Sequence, residues 1–158
     1  MIKKIPIISI TIFSILLCSC GFKAVHQKEN NLIFLQNINI VGEKRLAYFL
    51  KNNILLVSNK DSKNKYNAEI KIDRQKNPKN KDITGKVIRY NLVLSATIEL
   101  INIDNGEKLN KTFVRSFDYD IAKIHSDTIN NENAAIKNII QILSDDMVSY
   151  INFSMRYK

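Results

Sequence analysis

The chain has 158 residues and a formal net charge of +9, with 24 basic and 15 acidic side chains and only two cysteines. This length fits a single domain with a buried core, and the positive charge favours an anionic partner. Two cysteines separated by one residue are too close for an unstrained disulfide and too few for a tetrahedral thiolate metal site, which excludes both.

Residues 1–19 have the layout of a secretory signal. Two lysines precede an apolar run that is shorter than the roughly 20 apolar residues needed to cross a bilayer. The run ends in the letters LCSC, which resemble a bacterial lipobox because an aliphatic residue and two small residues precede the second cysteine, Cys20. We therefore expect cleavage before Cys20 and acylation of Cys20, which attaches the mature chain to a membrane without spanning it.

Residues 20–31 are then predicted to form a lipidated tether, and residues 32–158 a single domain. Gly21 stands where an aspartate would favour retention at the inner membrane, so we expect the periplasmic face of the outer membrane. Nucleic acid is not expected as a partner outside the cytoplasm, whereas phosphate-bearing lipid or an acidic protein surface suits the basic composition. A solvated, lysine-rich surface is the alternative explanation of the charge.

The first half of the domain changes hydrophobic period twice. Residues 32–41 alternate and predict a strand, and residues 43–55 have the spacing of an amphipathic helix. The apolar face of this helix is predicted to include Leu46, Phe49 and Leu50. A polar linker over residues 58–65 follows, and alternation over residues 68–73 predicts a half-buried strand.

The longest alternation in the chain covers residues 86–103, far more than the usual five or six residues of a strand. A compact domain does not need so long a strand, so we predict that it projects as a hairpin with the preceding strand, joined by a basic connection over residues 74–85. Asp104-Asn105-Gly106 predicts a tight turn. Residues 112–119 then return as a strand, with one face formed by Phe113, Phe117 and Tyr119.

A helical period extends from about Ser126 to Phe153, and Ser126 or Asp127 is predicted to cap its start. The order of elements is therefore β-α-β-β-β-α. The natural arrangement is an α+β two-layer sandwich, in which two helices cover one face of a four-stranded sheet with a long hairpin.

Residues suited to catalysis are present but badly placed for it. His125, Ser126 and Asp127 are the three residue types of a hydrolase triad, yet chain neighbours point in different directions and cannot align for proton transfer. The acidic pairs Asp118 with Asp120 and Asp145 with Asp146 are more typical of a solvated surface than of an acid/base pair. We expect no enzymatic activity, no cofactor and no metal.

Several short motifs occur in a characteristic order. They are Cys20-Gly21-Phe22, Arg89-Tyr90-Asn91-Leu92, Asp104 with Gly106, Val114-Arg115-Ser116-Phe117 with Tyr119, Ser126, and Glu132-Asn133-Ala134. Together they resemble the LptE family of lipopolysaccharide-assembly lipoproteins, over most of the mature chain. The stretch after Phe22 departs from the family, since many members have a proline there.

The resemblance implies a non-enzymatic subunit of the outer-membrane lipopolysaccharide translocon, seated as a plug in the β-barrel protein LptD and contacting lipopolysaccharide. In the family, basic contacts lie near the tip of the long hairpin and before the last helix, where cations can meet phosphates. The candidates at these places are Lys79, Lys81, Lys86, Arg89 and Lys123. Arg115 is an alternative contact, or it pairs with Glu99 across the strands. A lipid-anchored scaffold that recruits a soluble acidic protein is the other function considered.

Overall fold

The computed structural model describes residues 33–156, which form a four-stranded sheet and two helices. The elements are strand β1 (Phe34–Gly42), helix α1 (Lys44–Leu55), strands β2 (Lys65–Lys81), β3 (Val87–Asn102) and β4 (Lys108–Asp120), and helix α2 (His125–Arg156). This order confirms the predicted β-α-β-β-β-α arrangement of an α+β fold. Neither of these two helices is long and apolar enough to cross a membrane.

The strands lie side by side in sequence order, with β1 parallel to β2 and the other neighbours antiparallel. Parallel neighbours need a crossover connection, which α1 supplies here. The β3–β4 turn forms as predicted, since Gly106 donates its backbone N–H to the Asn102 carbonyl at 3.0 Å. Both helices pack on the same face of the sheet, α1 against β1 and β2 and α2 mainly against β4.

The core lies between the sheet and the helices because β3 turns every second residue toward them. These residues are fully buried: Leu92, Leu94, Ala96, Ile98 and Leu100. Helix α2 meets them with an apolar stripe at helical spacing, formed by Ile139, Leu143, Met147 and Ile151. Burial of each large aliphatic side chain contributes roughly 1.5–3 kcal/mol, so this alternation dominates the stability of the domain.

The predicted connection over residues 74–85 is wrong in its extent, since residues 74–81 continue β2. They pair with β3 as far as Lys81, which lies opposite Val87. The register shifts between Pro78 and Asn80 and again between Asn80 and Lys81. These residues are exposed on both faces, so no apolar alternation marks them as a strand. The 17 residues of β2 span about 55 Å, which confirms the long hairpin.

Two further expectations about faces are corrected. Phe49 is 52% exposed, because the buried face of α1 turns slightly away from it and consists of Leu46, Ala47, Leu50 and Ile54. Helix α2 begins at His125, so Ser126 and Asp127 lie within its first turn and do not cap it. Asp127 still favours the helix there, since a negative charge suits the positive end of the helix dipole.

The alternative pairing of Arg115 with Glu99 is also wrong. Arg115 lies opposite Leu94 on the helix-covered face, and its NH2 is 2.8 Å from Oδ2 of Asp146. Glu99 points to the other face of the sheet, where it pairs with Lys108 at 3.2 Å. The strand alternation therefore keeps Arg115 and Glu99 apart.

Candidate functional site

The basic residues predicted from the sequence lie at one end of the domain, around the tip of the β2–β3 hairpin. The tip is the turn between Lys81 and Val87. The segment before α2 lies beside it, because Ile121 donates its backbone N–H to the Ile88 carbonyl at 2.9 Å. This end carries all five candidates: Lys79, Lys81, Lys86, Arg89 and Lys123.

Two of these cations are neutralised by carboxylates on β4. Lys79 donates to Oδ2 of Asp118, and this bond holds the pKa of the Asp118 carboxyl below its ordinary value. The Arg89 guanidinium binds Asp120 in bidentate fashion, with Nε 2.5 Å from Oδ1 and NH2 3.0 Å from Oδ2. Lys79 and Arg89 therefore tie the hairpin to β4 and are less available to an external anion.

The remaining cations of the tip are open to solvent. Lys81, Lys86 and Lys123 are exposed, and none of the three forms an ion pair within residues 33–156. The turn that presents Lys86 is rigid, because the Asp82 carboxylate accepts the Thr84 hydroxyl at 2.6 Å and the Lys86 backbone N–H at 3.0 Å. The Thr84 hydroxyl is the main cause that lowers the pKa of Asp82.

Behind the tip, an anchoring cluster of Arg74, Lys76, Tyr119 and Glu132 joins the hairpin to α2. The Glu132 carboxylate accepts from Lys76 Nζ at 2.7 Å and from the Tyr119 hydroxyl at 2.8 Å, through the same oxygen. Its other oxygen lies 3.8 Å from the Arg74 guanidinium. One carboxylate on a helix thus meets donors from two strands, and it restrains the part of β2 that extends beyond β1.

Aromatic rings complete the cluster. Lys76 Nζ lies 4.5 Å from the centre of the Tyr90 ring and 5.3 Å from that of Tyr119, in cation–π geometry. Burial alone would raise the pKa of Glu132 and lower that of Lys76, because it disfavours the charged forms. The hydrogen bond between Lys76 and Glu132 and the bonds to the Tyr119 hydroxyl outweigh burial. The pKa of Glu132 is therefore lowered and that of Lys76 is raised. Burial is the main cause that raises the pKa of Tyr119.

Sequence reasoning missed the anchoring cluster, although part of its signal was available. Arg74 and Lys76 continue the even-numbered face that Ile70 and Ile72 turn toward the helices, so the sequence places them on the helix side. Their partner Glu132 lies 56 positions from Lys76. Only the packing of α2 on the sheet brings the two together.

The side chains considered for catalysis have structural partners or diverge. His125, Ser126 and Asp127 are exposed neighbours in the first turn of α2, where consecutive side chains do not face each other. Asp145 accepts from the Gln141 amide at 3.1 Å, while its neighbour Asp146 pairs with Arg115. In residues 33–156 no three histidine, cysteine or acidic residues are grouped so as to hold a metal.

A comparison with protein families identifies the family of this chain. The family model described as LptE, lipopolysaccharide-assembly, matches residues 36–151. The chain belongs to the LptE family. The match covers most of the sheet and of both helices and includes all five basic candidates, and it confirms the resemblance seen in the sequence motifs. LptE membership assigns this chain to the lipoproteins of lipopolysaccharide assembly.

Solved structures share the fold of this LptE-family chain. A lipoprotein from Caulobacter crescentus matches with a TM-score of 0.57 and 16% identity, over 75% of this chain and 90% of that one. The rare lipoprotein B from Shewanella oneidensis matches with a TM-score of 0.51 and 13% identity, over 75% of this chain and 95% of that one. No curated protein matches the sequence significantly.

Proposed function

We propose that this LptE-family protein is a non-enzymatic subunit of the outer-membrane complex that assembles and translocates lipopolysaccharide. In this proposal it sits as a plug inside a β-barrel protein of the LptD kind, aids the assembly of that barrel and contacts lipopolysaccharide. The observation that carries the proposal is the family match over residues 36–151.

The open edges of the sheet support a surrounding partner. Strand β4 pairs only with β3 in the part of the chain that the structure describes, which leaves its other edge open along 13 residues. Strand β1 ends opposite Ile72, so the following residues of β2 also pair on one side only. Long open edges invite unwanted strand pairing unless a partner covers them, and the wall of a barrel would do so.

The test of this proposal is purification of the tagged full-length protein from detergent-solubilised envelopes. We expect one large β-barrel protein to copurify in a near one-to-one ratio, identified by mass spectrometry. A soluble acidic protein in its place would contradict the proposal and support the lipid-anchored scaffold. Recovery of the protein without any stoichiometric partner would contradict both.

The membrane anchor is part of the proposal, although Cys20 lies outside the described residues. A lipid at Cys20 would hold the protein at the periplasmic face of the outer membrane. The same purified material tests this point through the mass of its amino-terminal peptide. An unprocessed peptide, or an unmodified Cys20, would contradict the anchor without bearing on the barrel.

For lipopolysaccharide contact, we propose the exposed lysines of the tip, Lys81, Lys86 and Lys123. None of their ammonium groups forms an ion pair with a carboxylate within residues 33–156, so a phosphate does not have to displace one. Lys79 and Arg89 would contribute only where a phosphate competes with Asp118 or Asp120.

Replacing Lys81 and Lys86 together with glutamate is expected to weaken binding of purified lipopolysaccharide about tenfold or more, because two attractive charges become repulsive. The measurement is equilibrium binding at fixed ionic strength. The double variant Lys60→Glu/Lys63→Glu, which makes the same charge change in the loop between α1 and β2, is the control. Equal weakening in the two variants would show that only net charge matters and would remove the tip from the site.

A further inference from the structure

Helix α1 leaves large apolar side chains unpacked. Tyr48 is 57% exposed and Leu56 is 76% exposed, in addition to the exposed Phe49. Tyr48 and Phe49 lie on α1 outside its buried stripe, and Leu56 directly follows the end of the helix. Scattered exposed apolar residues are normal, but a group of them on and next to one short helix is typical of an interaction surface.

Phe49 also forms one wall of a groove between α1 and α2 with a volume of about 850 Å³. The opposite wall includes Ile136 of α2, and the lining includes the core residues Leu46 and Ile140. An apolar side chain that enters between these walls would bury part of its surface against Phe49 and Ile136. The groove is therefore suited to an apolar anchor from another molecule.

The width of the groove is fixed by a bond between the helices. Asn53 donates its amide to the Ser144 hydroxyl at 2.9 Å, and that hydroxyl donates to the Ile140 carbonyl at 2.8 Å. Ser144 is the buried polar residue of the described core. Because this bond joins the helices without any ligand, docking in the groove does not have to bring them together.

Each wall of the groove carries one cation without a carboxylate partner in the described part of the chain. These are Arg45 on α1 and Lys137 on α2. The third cation of the lining, Arg74, is already neutralised by Glu43 at 3.1 Å and lies near Glu132. An occupant that complements the groove therefore has carboxylates on both sides of an apolar side chain.

We propose that this interhelical groove docks an acidic segment of the barrel partner, with a leucine or aromatic side chain seated between Phe49 and Ile136 and carboxylates at Arg45 and Lys137. The inference rests on the proposed seating in a barrel and names where α1 and α2 grip it. A protein segment fits better than a bilayer, because a flat surface cannot reach the floor of a groove between two helices. The groove also lies away from the open lysines of the hairpin tip.

The test uses the full-length, lipidated protein in its native envelope, with a photo-crosslinking amino acid at Asn52, which lines the groove. Asn110 on the open edge of β4 serves as a second crosslinking position. We expect the Asn52 crosslink to map to one acidic segment of the barrel protein, and the Asn110 crosslink to map elsewhere. A crosslink from Asn52 to glycolipid or phospholipid, or none to the barrel, would overturn the proposal.

The charge requirement is tested by the double variant Arg45→Glu/Lys137→Glu, which is expected to reduce copurified barrel about tenfold or more. The matched control is again Lys60→Glu/Lys63→Glu, whose lysines do not line the groove, and it should change recovery less than about twofold. A melting curve followed by circular dichroism verifies that both variants fold. Equal recovery in the groove variant and the control would overturn this inference, whereas absence of the barrel from the unmodified protein would overturn the proposed function itself.

Discussion

Replacing Gly42 with alanine is expected to lower the free energy of unfolding by about 3 kcal/mol, one of the largest effects of any single change in this domain. Gly42 ends β1 with a φ of +88°, in the left-handed region that disfavours side chains. A Cβ there would lie 2.2 Å from the carbonyl oxygen of Ile72. That oxygen cannot simply retreat, because it accepts the Glu43 backbone N–H at 3.2 Å and belongs to a fully buried residue.

Gly106→Ala is the matched control for this prediction. Gly106 also has a positive φ, of +71°, but no other residue that the structure describes comes within 4 Å of the position of its Cβ. It should therefore cost about 1 kcal/mol, the strain of the backbone alone. Unfolding in urea, followed by circular dichroism since the chain has no tryptophan, measures both. Equal losses would mean that the contact between Gly42 and the Ile72 carbonyl is not tight.

The order of elements could be predicted from the sequence because apolar periodicity reports burial directly. Strand β3 alternates along its whole length since one of its faces is covered, and α2 repeats at helical spacing for the same reason. Residues 74–81 of β2 are exposed on both faces, so burial leaves no pattern there and only pairing with β3 makes them a strand. Where pairing with the neighbouring strand and not burial makes a segment a strand, apolar periodicity cannot show it.

The candidate site was located by sequence only in part, for a related reason. The lysines of the tip were candidates because the LptE resemblance places basic contacts there and the long alternation of β3 predicts where the hairpin lies. Their division into paired and open cations depends on the register of β4, which places Asp120 opposite Arg89. The groove escaped prediction because its walls belong to two helices far apart in the chain, and only their packing places Phe49 and Ile136 around one groove.

Replacing Glu132 with alanine is expected to lower the free energy of unfolding by about 2 kcal/mol, because it removes the acceptor shared by Lys76 and Tyr119. The Glu132 side chain is only 22% exposed, so water replaces the lost bonds poorly. The effect should be concentrated in the hairpin, since Glu132 is where α2 holds β2 beyond the end of β1. Amide hydrogen exchange of residues 75–81 should accelerate in the variant, and that measurement separates local loosening from global destabilisation.

Glu99→Ala is the control for Glu132, since the Glu99 side chain is similarly shielded at 27% exposure but has, among residues 33–156, a single ion pair with the exposed Lys108. It should cost less than about 1 kcal/mol and leave exchange in the hairpin unchanged.

The effect of Glu132→Ala should also depend on pH. The folded-state pKa of Glu132 lies below its ordinary value of 4.5, so its stabilising effect is complete above that pH and is lost as the pH falls through the lowered value. The pKa of Lys76 is raised above 10.5, so Lys76 keeps its charge at neutral pH. The stabilisation that its charge contributes is lost only as the pH rises through the raised pKa. The difference in unfolding free energy between wild type and Glu132→Ala should therefore be constant near neutral pH and shrink below pH 4.5. A difference that persists unchanged in acid would show that Glu132 acts through its packing and not through its charge.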